Sequence, residues 1–347
     1  MPSTTTTVPG SCAYTPAAGP QPSGYAPCDL QSAYNLPSST AGASQTVAIV
    51  DAYDDPNAES DLQVYRSQFG LPPCTTANGC FRKVNQTGGT SYPAPSGGWA
   101  QEISLDIDMV SAACPNCRIL LVEASSASYA NLGAAVDQAA FLGANAISNS
   151  YGGPEGLGET TYDGYYNHPG IAVTVSSGDN GYGVEYPAAS PYVTAVGGTT
   201  LAKASTTRGW SETVWTGAGS GCSGYESKPS WQHDAGCPRR TVADVAADAD
   251  PNTGVAVYDS YAYQGVSGWL VFGGTSVASP IIASTYALAG LTPASNAGSS
   301  SYDPAKAFYL NDVTTGSNGS CGTYLCNGAV GYDGPTGNGT PNGVGAF

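Results

Sequence analysis

Short apolar runs alternate along most of the chain with segments of helical periodicity. The apolar runs predict strands at Thr46–Ala52, Arg118–Ala124, Ala144–Ser150, Ile171–Ser176, Val193–Val196, Gly254–Tyr258 and Trp269–Phe272. The periodic segments predict helices at Ala58–Phe69, Trp99–Ala113, Tyr129–Leu142 and Val277–Leu288. Because strand–helix–strand alternation is typical of parallel sheets, the pattern predicts an α/β fold. We expect a mostly parallel central β-sheet with helices on both faces.

The two ends of the chain depart from this alternation. Residues 1–44 are rich in Pro, Gly, Ser and Thr, and they are predicted to form an extended arm without regular structure. Residues 45–347 are predicted to form one domain, because large α/β folds reach this length around a single core. The final stretch, Asp312–Phe347, is rich in Gly and Asn and is predicted to consist of loops that need a disulfide or an ion to be ordered.

Composition narrows the range of partners. Hydrophobic residues make up 41% of the chain, enough for a sizeable core, whereas charged residues make up only 10% against an average of about 25%. The formal net charge of −16 repels nucleic acid and anionic membranes, so neither is expected as a partner. The acidic surface serves solubility, adaptation to acid, or both, since model carboxylates are half protonated or more at about pH 3–4. No apolar run approaches the roughly 18 residues of a membrane span.

Ten cysteines, an even number, indicate an oxidising compartment, and we expect a secreted protein. Connectivity does not follow from the sequence, and local pairs are the simplest arrangement: Cys12/Cys28, Cys74/Cys80, Cys114/Cys117, Cys222/Cys237 and Cys321/Cys326. A redox motif or half of a zinc site is the alternative for Cys114-Pro-Asn-Cys117, although zinc needs a second close pair. Met1 is followed by an uncharged Thr-rich stretch and not by a signal peptide, so we expect a mature fragment without its leader.

The segment Gly273-Gly-Thr-Ser276-Val-Ala-Ser-Pro280 follows an apolar strand and begins an apolar helix. It places the Ser276 hydroxyl at a helix N-terminus, where backbone N–H groups favour developing negative charge. A nucleophile for acyl transfer needs such a position. The alternative is that Thr275 or Ser276 only caps the helix. The whole string resembles the serine motif shared by the subtilisins and the sedolisins, which are serine-carboxyl peptidases.

The choice of general base separates these two families. A subtilisin needs a histidine, and this chain has only His168 and His233, neither in Gly-Thr-His surroundings. Glu102 and Asp106 lie four residues apart on a predicted helix and therefore share a face. Two solvated surface acids are the alternative, but the pattern resembles the sedolisin Glu-x-x-x-Asp pair. The resemblance implies that Glu102 acts as general base and then acid, assisted by Asp106.

Two further acids compete for this role. Asp51 ends the first strand, as the catalytic Asp of subtilisins does, but without a partner histidine it is interpreted as a strand-end or supporting residue. Asp108 is expected to point away from the pair.

Two more segments resemble sedolisin motifs. Val175-Ser-Ser-Gly-Asp179-Asn-Gly181 is similar to the segment that holds the oxyanion aspartate, and a carboxyl can donate a hydrogen bond only when protonated, which suits acid. An Asx turn is the alternative for Asp179. The segment around Ser150, Tyr151 and Gly152 resembles the strand that binds an extended peptide by β-augmentation.

The resemblance also implies one structural calcium ion in the loop region 312–333. Its ligands would be the carboxylates of Asp312 and Asp333 and the carbonyls of Val313, Ala329 and Gly331, in keeping with the 6–8 oxygen ligands of calcium once water is added. Ala329 replaces an expected glycine, which a carbonyl ligand tolerates unless the backbone needs a positive φ. An Asp-rich turn without an ion is the alternative.

Together the motifs cover about residues 25–347. They imply a subtilisin-like fold and an acid-active serine-carboxyl endopeptidase that cuts extended polypeptides through an acyl-enzyme. They also imply a zymogen whose N-terminal pro-domain, absent from this sequence, assists folding and blocks the cleft; we expect a monomer. Two other functions remain open: a neutral subtilisin-like peptidase that uses Asp51 and a histidine, and a calcium-stabilised binding module on an inactive scaffold.

Overall fold

Sixteen strands are present in residues 22–290 and 296–347, the part of the chain that the computed structural model describes. They are β1 (Thr46–Ala52), β2 (Phe81–Asn85), β3 (Arg118–Ala124), β4 (Ala146–Asn149), β5 (Gly153–Pro154), β6 (Ala172–Ser176), β7 (Glu185–Tyr186), β8 (Thr194–Lys203), β9 (Trp210–Val214), β10 (Gly221–Ser227), β11 (Arg239–Val242), β12 (Val245–Asp248), β13 (Val255–Tyr263), β14 (Val266–Phe272), β15 (Leu310–Asn311) and β16 (Thr340–Pro341).

The same part of the chain contains five α-helices and four short 3₁₀ helices. The α-helices are α1 (Pro27–Ala33), α2 (Ala58–Gln68), α3 (Gly97–Ala113), α4 (Tyr129–Phe141) and α5 (Thr275–Ala289). The 3₁₀ helices are Glu159–Tyr166, Pro251–Thr253, Ala297–Tyr302 and Pro304–Tyr309. None of the described helices is long and apolar enough to cross a membrane.

Seven parallel strands form the central sheet, in the order β12–β8–β6–β4–β1–β3–β2, and β9 adds to β8 in the antiparallel sense. Both faces of this sheet are covered. Val47 and Ile49 of β1 share one core with α3 and α5, whereas Ala48 and Val50 share a second core with α4. Fully burying an aliphatic side chain of this size contributes about 1.5–3 kcal/mol. The predicted fold class, a mostly parallel sheet with helices on both faces, is confirmed.

The segment predicted as an extended arm contains a helix. Residues 27–33 form α1, and the prediction of an arm without regular structure is wrong for this stretch. Pro27 stands at the start of the helix, where its fixed φ suits the first turn, and the carboxylate of Asp29 accepts a 3.0 Å bond from the N–H of Ala26. Leu30 and Ala33 are buried in the core, so tertiary packing orders a segment whose composition favours loops. The rest of the predicted arm, residues 1–21, lies outside the described residues.

Four of the five predicted disulfides are present: Cys74–Cys80, Cys114–Cys117, Cys222–Cys237 and Cys321–Cys326. The Cys-Pro-Asn-Cys segment is therefore closed by a disulfide and offers no thiolates for a zinc half-site. The predicted pair Cys12/Cys28 includes Cys12, which lies outside the described residues.

Candidate active site

The candidate site lies where α5 begins, beside the carboxyl ends of the central strands. Parallel sheets place their sites at this edge. Gly274 precedes α5 with a φ of +109°, and a Cβ at this position would come within 2.6 Å of Oδ2 of Asp179. Only glycine fits both the positive φ and the close approach, so the Gly-Gly sequence brings Asp179 against the backbone just before Ser276.

Ser276 is half-buried in the first turn of α5, and its side chain interacts with the carboxylate of Glu102 on α3. The first N–H groups of a helix have no intrahelical partners, so the backbone around Ser276 can donate to an anion. Burial raises the pKa of Glu102, the interaction with Ser276 lowers it, and the charge of Asp179 raises it. The nucleophile predicted from the sequence therefore interacts with a carboxylate.

Asp106 lies one turn further along α3 and is fully buried. Its Oδ1 accepts a 2.8 Å bond from the hydroxyl of Ser150. Burial and the charge of Glu102 raise the pKa of Asp106, and the bond from Ser150 lowers it. Among the described residues, Oε1 of Glu102 and Oδ2 of Asp106 have no hydrogen-bond partner. Each acid thus keeps one oxygen without a hydrogen-bond partner, and two interacting acids titrate as a pair.

Asp51 extends this acidic pair. It is completely buried at the end of β1, and both of its carboxylate oxygens lack a hydrogen-bond partner within the described part of the chain. Burial raises its pKa, with further contributions from the charges of Asp106 and Glu102. The sequence interpretation of Asp51 as a supporting residue agrees with this position, but the sequence contained no signal for its closeness to Asp106. Asp108 faces elsewhere, as expected, and accepts a 3.0 Å bond from the N–H of Tyr258.

Asp179 is held by the residue before the candidate nucleophile. Its Oδ1 accepts bonds from the backbone N–H of Thr275 (2.8 Å) and from the Thr275 hydroxyl (2.9 Å). The same hydroxyl oxygen accepts a 3.1 Å bond from the N–H of Gly178. Burial of the carboxyl raises the pKa of Asp179, and the two Thr275 bonds oppose that rise. These contacts fix the Asp179 carboxyl beside the N-terminus of α5; the partner role of Thr275 was not predicted.

The three residues predicted to bind substrate differ in exposure. Ser150 and Tyr151 are buried, and their hydroxyl groups bond to Asp106 and to Oδ1 of Asn149 (2.7 Å). Gly152 is exposed, and a Cβ there would come within 2.8 Å of the Glu185 carboxylate. The two side chains therefore support the interior of the site, whereas the backbone of Gly152 is exposed.

Both histidines lie in other surroundings. Nε2 of His168 is 3.0 Å from the carbonyl of Tyr165 and 3.2 Å from the carboxylate of Asp137. His233 lines a separate cleft together with Tyr324. These contacts give no support to a histidine base for Ser276.

The predicted calcium-binding residues come together in the C-terminal loops. Oδ2 of Asp312 accepts a 2.9 Å bond from the N–H of Gly331, and Oδ2 of Asp333 accepts one of 2.9 Å from the N–H of Ala329. Asp333 is buried; burial raises its pKa to about 7, and the charge of Asp312 adds to the rise. Ala329 is not among the described residues with positive φ, so the replacement of glycine there is tolerated.

The carbonyl oxygens of the proposed calcium ligands are also free. Among the described residues, no hydrogen bond ends on the carbonyl of Val313, Ala329 or Gly331. A set of two neighbouring carboxylates and three free carbonyls is the oxygen donor set that calcium prefers. The residues present therefore fit the ion.

Comparison with known proteins places this arrangement in context. The subtilase family model matches residues 84–322. Sedolisin of Pseudomonas sp. (strain 101) is 30% identical over 378 residues, covering 94% of this chain and 61% of the relative. Kumamolisin of Bacillus sp. (strain MN-32) is 30% identical over 366 residues, covering 93% of this chain and 63% of the relative. The chain thus spans somewhat under two thirds of the length of these curated relatives.

A solved structure of a sedolisin is also similar to this chain. Pseudomonas sedolisin, a serine-carboxyl proteinase complexed with two molecules of pseudo-iodotyrostatin, superposes with a TM-score of 0.78 at 28% sequence identity. The match covers 93% of this chain and 96% of that chain. The resemblance to sedolisins and the subtilisin-like fold inferred from the motifs are confirmed. With more than half of its length matched by the family model, the chain belongs to the subtilase family.

Proposed function

We propose that this protein is an acid-active serine-carboxyl endopeptidase that hydrolyses extended polypeptides. The observation that carries the proposal is the meeting of α5 and α3 at Ser276: the Ser150 hydroxyl joins Asp106 to the backbone of Ser276, and the Ser276 side chain lowers the pKa of Glu102. A serine hydroxyl beside a carboxylate at a helix N-terminus combines a nucleophile, a base and nearby backbone donors. Similarity to sedolisin and kumamolisin supports the same reaction class.

Acylation would proceed in two steps. Oγ of Ser276 attacks the carbonyl carbon of the scissile peptide while its proton passes to Glu102, and the carbonyl oxygen becomes an oxyanion. The N–H of Ser276 and the protonated carboxyl of Asp179 donate hydrogen bonds to that oxyanion. Glu102 then returns the proton to the amine nitrogen as the C–N bond breaks, leaving an ester on Ser276.

Deacylation repeats the sequence with water as the nucleophile. The water oxygen attacks the ester carbon while Glu102 takes a proton from the water. Glu102 then protonates Oγ of Ser276 as the carboxylic acid product leaves. Asp106 assists by sharing a proton with Glu102. When one acid of such a pair is protonated, it donates a hydrogen bond that stabilises the anion of its neighbour, so the first proton leaves the pair at lower pH than it would leave an isolated buried carboxyl.

The mechanism requires opposite protonation states in two places. The Glu102–Asp106 pair must have lost a proton, whereas Asp179 must keep its own. Activity should therefore be bell-shaped and lie on the acid side, with its acid limb set by the Glu102–Asp106 pair and its alkaline limb by Asp179. The substrate would pair with the backbone at residues 150–152 as an added strand.

Further properties belong to the same proposal. Calcium would be held by Asp312, Asp333 and the carbonyls of Val313, Ala329 and Gly331, and it would supply positive charge that offsets the two carboxylates. We further propose secretion as a monomer from a precursor with an N-terminal pro-domain. Support comes from the resemblance to sedolisins and from the four described disulfides.

The test is hydrolysis of an unfolded protein across the acid range by wild type and by Ser276→Ala. We expect the variant to lose at least 90% of the activity, and acid quenching of the wild type should trap a substrate fragment as an ester, seen by mass spectrometry. Ser284→Ala is the matched control, since Ser284 is a buried residue of the same helix whose hydroxyl has no partner among the described residues. Activity retained in Ser276→Ala would refute the nucleophile, and absence of hydrolysis by wild type would favour a binding module.

A further inference from the structure

Three carboxylates outside the candidate active site converge in the interior. Asp55 follows β1, Asp61 lies on α2 and Asp259 lies on β13. One carboxylate oxygen from each lies within 4.8 Å of the other two, and all three residues are buried. Like charges at this distance in the interior repel strongly, so the cluster needs either protons or a cation.

Nearby cations and donors compensate the cluster only in part. The ammonium of Lys83 contacts the carboxylates of Asp54 and Glu123, and it reaches only the backbone carbonyl of Asp55, at 2.7 Å. Both oxygens of Asp61 accept bonds from Ser260, through its N–H (2.7 Å) and its hydroxyl (2.8 Å). Hydrogen bonds therefore orient the carboxylates without neutralising them.

One oxygen in the cluster has no partner at all. Oδ1 of Asp259 accepts a 3.0 Å bond from the N–H of Tyr261. Oδ2 of Asp259 has no hydrogen-bond partner among the described residues, and the residue is 0% exposed. Buried polar atoms are almost always satisfied, and an exception points to an unseen ion or water.

We propose that Asp55, Asp61 and Asp259 bind a divalent cation of the calcium type, at a site separate from the C-terminal loops. Carboxylate oxygens are the preferred ligands of hard cations, and calcium fills its remaining positions with carbonyls or water. Asp55 also lines a surface cleft together with Glu59. The ion would join the loop after β1, α2 and β13, which are far apart in sequence.

The site lies against the helix that carries the candidate base. Ser104 of α3 donates a 3.4 Å bond to Oδ2 of Asp55, and the side chain of Gln101 on the same helix lowers the pKa of Asp259. Residues 101 and 104 occupy the face of α3 roughly opposite Glu102 and Asp106. A cation at this site would therefore fix the position of α3 from behind the catalytic pair.

Counting bound calcium by equilibrium dialysis tests the proposal without using activity. The measurements are made above neutral pH, because burial raises the pKa of Asp55 to about 7 and that of Asp259 to about 6. Every protein carries Ser276→Ala, so that self-cleavage cannot remove material. We expect two calcium ions per chain in this parent, one in Asp333→Asn, one in Asp259→Asn and none in the double variant.

Glu59→Gln is the matched control, because Glu59 is a carboxylate of α2 that bonds Thr76 outside the cluster; it should retain both ions. If Asp259→Asn does not fold, Asp61→Asn replaces it. One calcium ion that stays bound in Asp333→Asn would by itself support a second site. One ion per chain that disappears in Asp333→Asn would overturn the proposal, since the cluster would then hold only shared protons. Because the readout is bound metal, failure of the peptidase proposal would leave this result unaffected.

Discussion

The hydroxyl of Ser150 donates a 2.8 Å hydrogen bond to Oδ1 of Asp106, so the end of β4 is tied directly to the acidic pair on α3. The same hydroxyl lies 3.4 Å from the backbone carbonyl of Ser276. Ser150 thereby contacts both helices that form the candidate site. The resemblance to sedolisins placed Ser150 among residues that bind substrate, whereas its side chain supports a carboxyl.

Removing this hydroxyl should shift the pH profile. The bond from Ser150 stabilises the ionised form of Asp106, so Ser150→Ala should raise the pKa of the acidic pair. The acid limb of kcat/KM should then move to higher pH, because the pair must lose a proton to act as base. Tyr151→Phe is the control, since the Tyr151 hydroxyl bonds to Asn149. A raised KM with an unmoved acid limb would instead indicate that Ser150 binds substrate.

Replacement of Asp179 should act on the opposite limb. Activity should fall on the alkaline side as Asp179 loses the proton with which it binds the oxyanion. Asp179→Asn supplies a donor that never titrates, and its amide oxygen can still accept from Thr275. The alkaline limb should therefore extend to higher pH even if the maximum rate falls. Measuring kcat against pH decides this, with Asp303→Asn, a distant capping residue, as control. An alkaline limb that stays in place would remove Asp179 from the proposed role.

Local patterns were sufficient for the framework of the fold. The bounds of β1 and β3 match the predicted strands, because each is covered on both faces and is built around four consecutive apolar residues, 47–50 and 119–122. The start of α3 was predicted two residues late, since Gly97 and Gly98 carry no periodicity. Motifs also located the four candidate catalytic residues, whose roles remain predictions.

Contacts between residues far apart in the chain could not be predicted from a single sequence. Asp61 and Ser260 are 199 residues apart and bond to each other twice. Nothing near either residue indicates the other. For the same reason, neither the acidic cluster nor the approach of Asp51 to Asp106 was predicted. The helix α1 was missed because its composition favours loops and only burial of Leu30 and Ala33 against the core orders it.

Stability should decrease as pH rises from acid to neutral and above. Glu226 is 2% exposed; burial and the charge of Asp163 raise its pKa to about 8. A carboxyl whose folded-state pKa is raised holds its proton in the folded state while the unfolded chain releases it. Its stabilising effect is complete below the unfolded value of about 4.3 and is lost as pH rises through about 8. Melting temperatures of Ser276→Ala, measured between acid and weakly alkaline pH, should fall steadily.

Glu226→Gln isolates this contribution. The amide removes the titrating group and the repulsion with Asp163, so the slope of melting temperature against pH should become shallower in the variant. Glu59→Gln, at a half-buried carboxylate bonded to Thr76, should keep the slope of the parent. A melting temperature that rises with pH in the parent, or equal slopes in Glu226→Gln and the parent, would contradict the argument.

Removing calcium should lower stability while leaving the chemistry largely unchanged below the melting transition. An ion present at 100 times its dissociation constant adds about 2.7 kcal/mol to the free energy of unfolding. Chelator should therefore lower the melting temperature of the parent, and Asp333→Asn should reproduce the part of that loss that comes from the C-terminal loops. Because Asp333 also accepts bonds from Thr336, the informative quantity is the shift that chelator causes in each protein. That shift should be smaller in Asp333→Asn than in the parent, and equal shifts would exclude calcium from the loops at 312–333.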